Sequence, residues 1–420
     1  MKKLFGLVCI IFLLVQNLFS QELSIWPQYV GLNSWFVKMP VEYSEEFPSI
    51  AFTGKYANYT NADTWYPSWA SDGNMYSPWT DGEIGDEHVN SWSAEKARTG
   101  QAKIIGDDPM NLEVISLGSI EGSALPYQGR YPCGSLVYNG IWYHGSYCLL
   151  KDEKMGMNWP IMGPFVGFRI SKDYGKTWEN TDQTGADNVF EEETDVESAK
   201  PIKIGSPHFV DFGQNMEHSP DGYAYLVCHS ALEDDPKPRP GNLSWISGDI
   251  IYLLRVKPSP ENMNDKSKYE FYAGKGEDGK DIWSKDMNDL IPIFEWNNKA
   301  GCVTMTYNAP LKKYLMCITD GWPTVQSMDT YIMESDNMTG PWKMVNFMKD
   351  FGPQAYFVNI PSKFISEDGK TMWLCYSANF SYERGENIPK GNPEGSHYTM
   401  SLHEIKLLNS IELEKLQNED

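Results

Sequence analysis

The sequence predicts an all-β protein built as a five-bladed β-propeller. Runs rich in aromatic and β-branched residues are short and separated by Gly and Pro turn signals, and long helical periodicity is nearly absent. One pattern, a turn signal followed by alternating aromatic and small residues, recurs at 71–79, 138–147, 219–230, 309–322 and 366–380. Spacings of about fifty to ninety residues suit four-stranded blades with loop insertions. A six-bladed, sialidase-like propeller is the alternative.

The N-terminus predicts export. Residues 1–20 carry two lysines, then an apolar run, then a small residue, which is typical of a cleaved secretory signal with Gln21 as the first mature residue. We therefore expect a secreted or periplasmic protein. Residues 21–410 would form a single propeller domain and residues 411–420 a C-terminal tail. No later stretch is apolar for long enough to span a membrane.

The charge balance limits the partners. The formal net charge of −22 argues against nucleic acid and polyanionic substrates, which would be repelled at long range. It suits a neutral glycan, a cationic partner or simple solubility. The oligomeric state stays open.

Cysteine spacing argues against a zinc site, because none of the six cysteines after the signal falls in a CxxC pair. Cys133/Cys148 and Cys302/Cys317 each flank a predicted hairpin, so cross-strand disulfides and buried thiols are both open. No contiguous calcium-binding loop occurs. We predict no cofactor and no metal ligand, with a structural calcium ion left open.

The most informative stretch is 63–82, DTWYPSWASDGNMYSPWTDG. Asp72-Gly73 between two aromatic runs predicts a hairpin with a type I′ turn. Asp63 lies nine residues before Asp72 and Asp81 nine after it, so the two carboxylates should meet at the open end of the ribbon. Paired carboxylates at that range are what glycoside hydrolysis requires. The alternative is that Asp63 caps a loop and Asp81 heads a second turn.

Further side chains are candidates for the same site. Trp65 and Trp79 are predicted to stack on sugar faces, although both would equally fill a blade core. Glu217 beside the third recurring hairpin is a possible third catalytic carboxylate, and His218 would tune it or bind a sugar hydroxyl. Arg130 and Tyr307 are weaker substrate-binding candidates from other blades.

Residues 171–178, SKDYGKTW, match the Asp-box pattern S-x-D-x-G-x-T-W. Ser171 and Asp173 are suited to satisfying turn amides, and Gly175 to a left-handed position. Such turns lie at the outer strands of propellers, so we predict a structural role. Arg169, just ahead of the box, weakly matches a sialidase Phe-Arg-Ile-Pro stretch that lacks its proline here.

The paired-aspartate hairpin, together with NIPSKFISEDGKTMWLCYS at 359–377, resembles the family catalogued as domain of unknown function 4185, which includes endo-D-arabinanases of glycoside hydrolase family 183. SDNMTGPW at 335–342 is similar to strand ends of the five-bladed glycoside hydrolase family 43. The resemblance implies a secreted carbohydrate-active enzyme with Asp63 and Asp81 as its catalytic pair. The chain departs from the family pattern at Thr64-Trp65, where a Gly is expected after the first acid.

Two functions follow from the sequence. The first is hydrolysis of a neutral, perhaps furanosidic, glycan linkage by the two aspartates. The second is a non-catalytic glycan-binding propeller of a polysaccharide-utilisation system, with tryptophans as its platform.

Overall fold

Five antiparallel sheets surround a common axis in the computed structural model, which describes residues 23–27, 38–152, 157–198, 200–232, 244–321, 326–382 and 391–419. We number these sheets as blades 1 to 5 in chain order of their innermost strands. The predicted five-bladed propeller is therefore confirmed. The predicted signal at residues 1–20 lies outside the described residues.

The first three blades contain most of the insertions. Blade 1 comprises Asn61–Asp63, Ser68–Trp69, Met75–Ile84, Glu87–Val89, Ala97–Ile105 and Glu113–Gly122. Blade 2 comprises Gly129–Tyr138, Ile141–Asp152 and Met157–Ser171. Blade 3 comprises His208–Phe209, Ala224–Ser230, Ile250–Val256, Glu270–Lys275, Asp281–Ser284 and Phe294–Glu295.

Blade 4 is a regular four-stranded sheet, and blade 5 joins the two ends of the chain. Blade 4 comprises Val303–Asn308, Lys313–Asp320, Asp329–Ser335 and Lys343–Met348. Blade 5 comprises Tyr356–Asn359, Thr371–Ser377, Met400–Leu408, Ser49–Tyr59 and Ser24–Ile25. Short 3₁₀ turns occupy Gly185–Asp187, Gln214–Met216, Lys266–Lys268, Met287–Asp289, Ser362–Phe364 and Phe380–Tyr382, and an α-helix spans Ser410–Glu419.

The ring closes through blade 5, where an N-terminal strand pairs with a C-terminal one. Ser49 lies opposite Leu408 and Tyr59 opposite Met400. This pairing satisfies backbone groups that would otherwise form an open sheet edge. It also ties the chain ends together, so the ring is complete and the axis is enclosed.

The five recurring sequence patterns occupy equivalent places in the five blades. Each begins at the turn between the first and second strands, and each continues into the second strand. The innermost strands consequently all run towards these turns. Residues at the starts of the inner strands gather at the opposite face of the ring.

The hairpin at Asp72-Gly73 forms, but its turn type differs from the prediction. Within the turn at residues 71–73, only Gly73 has a positive φ, at 84°. The Gly73 amide donates to the Ala70 carbonyl at 3.0 Å and the Ala70 amide to the Asn74 carbonyl at 2.9 Å. This is a three-residue loop with a left-handed glycine and a bulge, rather than a type I′ turn, which needs two positive φ values.

The described cysteines are free, buried thiols, so of the two alternatives left open by the sequence the structure shows buried thiols for Cys133/Cys148 and Cys302/Cys317. Cys133 and Cys148 belong to different hydrophobic clusters, and so do Cys302 and Cys317. Within each pair, the two side chains pack into separate parts of the core, although their strands are neighbours.

Residues 171–178 form a hydrogen-bonded turn at the outside of blade 2. Ser171 Oγ accepts from the Gly175 amide at 2.7 Å, and Asp173 accepts from the amide and hydroxyl of Thr177 at 2.8 and 2.7 Å. Trp178 packs against Trp142, with ring centroids 5.1 Å apart. These contacts are internal to the blade.

Gly100 in blade 1 allows the close approach of the Trp79 ring. A β-carbon at Gly100 would lie 2.2 Å from Trp79 Cε2, inside van der Waals contact. We expect Gly100→Ala to lower the free energy of unfolding by at least about 1–3 kcal/mol, because the buried indole cannot move without disturbing the core. Denaturant unfolding measures this loss. The matched control is Gly276→Ala, whose nearest neighbour would be the flexible end of Asp278 at 3.1 Å; an equal loss in both variants would contradict the argument.

Candidate active site

A cavity of about 790 Å³ opens at the ring face where the inner strands start. Asp63 lines it from the end of the short strand Asn61–Asp63 of blade 1, and Tyr131 and Tyr356 from the first three residues of the inner strands of blades 2 and 5. Asp81 and Tyr147 reach it from second strands, whose far ends return to the same face. Residues distant in sequence are thus brought together by the repeated strand order of the blades.

The two predicted aspartates lie close together in the lining of this cavity. Ser68 pairs with Tyr76 and Trp69 with Met75, as a hairpin centred on Asp72 requires. Beyond an irregularity, however, Asp63 lies opposite Thr80 and not opposite Asp81. Asp81 is the residue after Thr80 on this strand, so it lies next to Asp63 but not directly across from it.

The backbone is strained beside both acids. Thr64 has a φ of 66° and Asp81 a φ of 44°, both in the left-handed region. That region is unfavourable for a β-branched residue such as Thr, with a cost of about 1–3 kcal/mol. Strain of this kind persists only where the surroundings hold it, and it accumulates at functional sites.

Asp63 is nearly buried, with 7% of its surface exposed. Its Oδ2 accepts from the Tyr356 hydroxyl at 2.5 Å and its Oδ1 from the Thr64 hydroxyl at 2.9 Å. Burial and, next, the charge of Asp81 raise the pKa of the Asp63 carboxyl well above its usual range, against the lowering effect of these hydrogen bonds. Asp63 is thus suited to hold a proton.

Asp81 is more exposed and is held from a different side. Its Oδ1 accepts from the Ser91 amide at 2.8 Å, and the Tyr131 hydroxyl donates to its carboxylate. The Tyr398 hydroxyl donates to the backbone carbonyl of Asp81 at 2.7 Å. The two acids therefore differ in burial and in their hydrogen-bond partners.

An aromatic wall faces the acids, and it consists of Trp245, Tyr356, Phe357 and Phe380. Trp245 and Phe357 are stacked, with ring centroids 5.4 Å apart and an interplanar angle of 19°. Tyr356 packs edge-on against Phe380 at 5.7 Å. This wall supplies rigid apolar surface next to the carboxylates.

The rim of the cavity is polar and charged. Glu83, His88, Lys96 and Arg98 line it on the blade 1 side. His88 Nδ1 lies 3.2 Å from Glu83, and Arg98 lies 3.8 Å from Glu121. The rim therefore carries both signs of charge, and its charged groups are largely exposed.

The predicted stacking of Trp65 and Trp79 on sugar faces is wrong, and the alternative, that both fill a blade core, is what the structure shows. Their side chains are 1% and 0% exposed and pack in the core of blade 1. The Trp65 indole donates to the Ala62 carbonyl at 2.9 Å. Neither ring has a face on the cavity, and the aromatic wall instead comes from residues that the sequence did not single out.

Glu217, His218 and Tyr307 do not reach the cavity either. They lie at the opposite face, near the turns between first and second strands. His218 and Tyr307 are in ring contact at 6.0 Å, and Glu217 lies 3.9 Å from His218. All three come from the turn end of their blades, whereas Asp63 and Asp81 lie at the other end.

Arg130 precedes the cavity residue Tyr131 but points away into the interior, and it is fully buried. Its Nε donates to Ser146 Oγ at 2.9 Å and its Nη1 to the Gln183 carbonyl at 2.6 Å. Arg130 is consequently not a substrate contact.

No metal centre or membrane helix is evident in the described ranges. Among those residues, no three His, Cys, Asp or Glu side chains come together as ligands for a metal ion. The helices found there are too short or too polar to cross a membrane.

Comparisons with known proteins show low similarity. No family model matches the chain, and no curated protein does. Among solved structures, a putative hydrolase from Bacteroides ovatus shares 12% identity over 95% of this chain and 96% of that one, with a TM-score of 0.48.

Two further solved structures contain a bound oligosaccharide. The α-L-arabinofuranosidase PaAbf62A from Podospora anserina, in complex with cellotriose, shares 11% identity over 83% of this chain and 91% of its own, with a TM-score of 0.40. The GH43_1 enzyme from Xanthomonas citri, complexed with xylotriose, shares 13% identity over 83% and 88%, with a TM-score of 0.43. Identities and scores this low leave the function of this chain to be argued from its own residues.

Proposed function

We propose that the protein is a secreted glycoside hydrolase that cleaves a neutral glycan, with furanosidic linkages as the first candidates. The observation that carries the proposal is the Asp63–Asp81 pair in the cavity lining, in which Asp63 is buried and Asp81 is partly exposed. Two carboxyl groups with different environments are the requirement of glycosidic cleavage.

Asp63 is the general acid in this proposal. Its raised pKa keeps the carboxyl protonated at a pH where an exposed aspartate has lost its proton. It can therefore donate a proton to the leaving glycosidic oxygen. The hydrogen bonds from Tyr356 and Thr64 fix its orientation, and they stabilise the carboxylate that forms when the proton has left.

Asp81 acts as the base or nucleophile. The Ser91 amide and the Tyr131 hydroxyl hold its carboxylate in the cavity lining. Once ionised, it can attack the sugar or activate a water molecule, and its charge also favours the oxocarbenium-like transition state.

The cavity walls support a sugar as the ligand. Aromatic surface from Trp245, Phe357 and Phe380 suits the apolar face of a sugar ring, and tyrosine hydroxyls beside it can bond to sugar hydroxyls. The net charge of −22 suits a neutral polymer over a polyanion.

Tyr356→Phe is expected to move the alkaline limb of the pH–activity profile to higher pH. The Tyr356 hydroxyl lowers the pKa of Asp63 by donating to its carboxylate, so its removal raises that pKa further and keeps the acid protonated to higher pH. Rates measured across pH 4–9 test this. The matched control is Tyr43→Phe, a half-buried tyrosine outside the cavity; a limb that stays in place in Tyr356→Phe counts against the role of Asp63 as acid.

Phe380→Ala is expected to raise KM roughly threefold to tenfold while kcat changes little, because it removes stacking surface without touching the acids. Steady-state kinetics on the true substrate measure both constants. A loss confined to kcat would be inconsistent with a platform role for this residue.

The proposal as a whole is tested by incubating the mature protein, residues 21–420, with a panel of neutral and acidic polysaccharides. We expect oligosaccharides to be released from a neutral glycan. A thermal shift with one glycan, but no release by any preparation, would favour a binding propeller instead.

A further inference from the structure

Two buried arginines meet between blades 1 and 2, outside the candidate active site. Arg130 and Arg169 are both 0% exposed. A β-carbon built on Gly122 would lie 2.2 Å from Arg169 Nη2 and 2.7 Å from Arg130 Nη1. Both guanidinium groups therefore approach the same point, and the absence of a side chain at Gly122 makes room for them.

The hydrogen-bond partners of this pair are neutral. Arg169 Nη1 donates to Thr99 Oγ1 at 2.6 Å, while Arg130 bonds to the Ser146 hydroxyl and to the carbonyls of Ser123 and Gln183. Within the described ranges, no acidic side chain forms an ion pair with either guanidinium group. The two positive charges thus lack a protein counter-charge there.

Several nitrogens of the cluster also lack acceptors. In the described part of the chain, Arg130 Nη2, Arg169 Nε and Arg169 Nη2 are buried and have no hydrogen-bond partner. The same holds for Nε2 of His144, which lies directly opposite Arg169 on the neighbouring strand. Four unsatisfied nitrogens in one buried cluster are far from the usual pattern of folded proteins.

Burial of two uncompensated cations is strongly unfavourable. Each ion loses its solvation, and the like charges repel one another. Burial lowers the pKa of Arg130 to about 10, and burial together with the charge of Arg130 lowers the pKa of Arg169 well below its usual range. Loss of a proton is not available to arginine near neutral pH, so compensation must come from a negative charge.

We propose that Arg130, Arg169 and His144 form a binding site for a small inorganic anion of the size and charge of chloride. The unpartnered guanidinium N–H groups supply charge-assisted donors, and neutral His144 supplies one more through Nε2. Such an ion would neutralise part of the buried charge and hold blades 1 and 2 together.

The site is linked to the candidate active site by hydrogen bonds through Ser91. The Arg130 amide donates to the Ser91 carbonyl at 3.0 Å, and the Ser91 amide donates to Asp81 Oδ1 at 2.8 Å. The anion therefore stabilises the segment that positions Asp81. The inference itself does not depend on hydrolytic activity.

Thermal unfolding in sodium chloride tests the site, with sodium gluconate added to keep the ionic strength constant. Gluconate is too large for a buried cluster. We expect Tm to rise by roughly 2 °C for each tenfold increase in chloride above the dissociation constant, because the ion binds only the folded protein. A Tm that is independent of chloride from 0.1 mM to 100 mM would overturn the proposal.

The double variant Arg130→Met/Arg169→Met removes both charges and should lose the chloride dependence. Arg255→Met is the matched control, because Arg255 is paired with Glu270 and Asp221 and should keep the wild-type dependence whatever its own stability. A dependence that survives in the double variant would contradict the assignment.

A crystal of the wild-type protein grown in sodium bromide gives a readout that needs no variant. Anomalous scattering should reveal bromide within contact of Arg130 Nη2 and Arg169 Nη2. Water molecules alone at that position, or a carboxylate of the protein itself, would refute an anion site.

Discussion

Asp63→Asn is expected to reduce glycan hydrolysis by a factor of about 10² to 10⁴, the usual contribution of a general acid. Asparagine has nearly the same shape, and its single carbonyl oxygen can accept one of the two hydrogen bonds that Tyr356 and Thr64 donate to separate oxygens of Asp63. Its NH2 group can donate to the other hydroxyl. Asparagine has no acidic proton to donate. Initial rates on the substrate found by the glycan panel measure the loss.

The same variant is expected to keep or gain stability at neutral pH. The pKa of Asp63 is raised in the folded protein, so the folded state holds its proton more tightly than the unfolded state. The stabilising contribution is complete below the unfolded pKa, and it is lost as pH rises through the folded pKa. Above the folded-state pKa, the ionised, buried Asp63 carboxylate lowers the free energy of unfolding of the wild type. Asparagine does not ionise and causes no such loss.

Asp86→Asn is the matched control, because Asp86 is an exposed turn residue of the same blade. It should retain wild-type activity and stability. If folded Asp63→Asn keeps full activity, Asp63 is not the acid.

Asp81→Asn is expected to abolish activity to a similar or larger degree, since it removes the base or nucleophile. Any residual activity should have its alkaline limb at lower pH than the wild type. The charge of Asp81 raises the pKa of Asp63, so its removal lowers that pKa. This shift is opposite in sign to the one expected for Tyr356→Phe.

The pH profiles of the two variants are measured with the same substrate and buffers. Limbs that move in the same direction in Asp81→Asn and Tyr356→Phe would contradict the coupling of the two carboxyl groups.

The sequence predicted the blades and the acid pair because both depend on local signals. A turn residue followed by alternating aromatic and small residues specifies a hairpin, and five such hairpins specify the number of blades. Asp63 and Asp81 follow from counting along one hairpin. The register shift next to Asp63 and the left-handed backbone of Thr64 and Asp81 did not follow, because such conformations are set by tertiary contacts.

The tryptophans illustrate what alternation cannot decide. In a propeller, both faces of an inner blade sheet pack against neighbours, so an aromatic residue on either face can be core. Trp65 and Trp79 are buried for this reason. Local sequence carries no signal that separates a core indole from one lining a cavity.

Glu217, His218 and Tyr307, the candidates from blades 3 and 4, lie next to the turns, which is the end of the inner strand away from the cavity. Asp63 lies nine residues before Asp72, and Tyr131 lies eight before Asn139. In blades 1 and 2 the cavity residues therefore occur one strand length before each turn. The repeated hairpin pattern marks the turn, and the cavity residues lie outside that pattern.

The most direct test of the catalytic pair is the rate of oligosaccharide release from the panel glycan by wild-type protein and by the folded Asp63→Asn/Asp81→Asn double variant. We predict release by the wild type and no release above background by the double variant. Both proteins should unfold in one cooperative thermal transition, which shows that the double variant is folded. Equal release by both proteins would contradict the assignment of Asp63 and Asp81 as the groups that cleave the glycosidic bond.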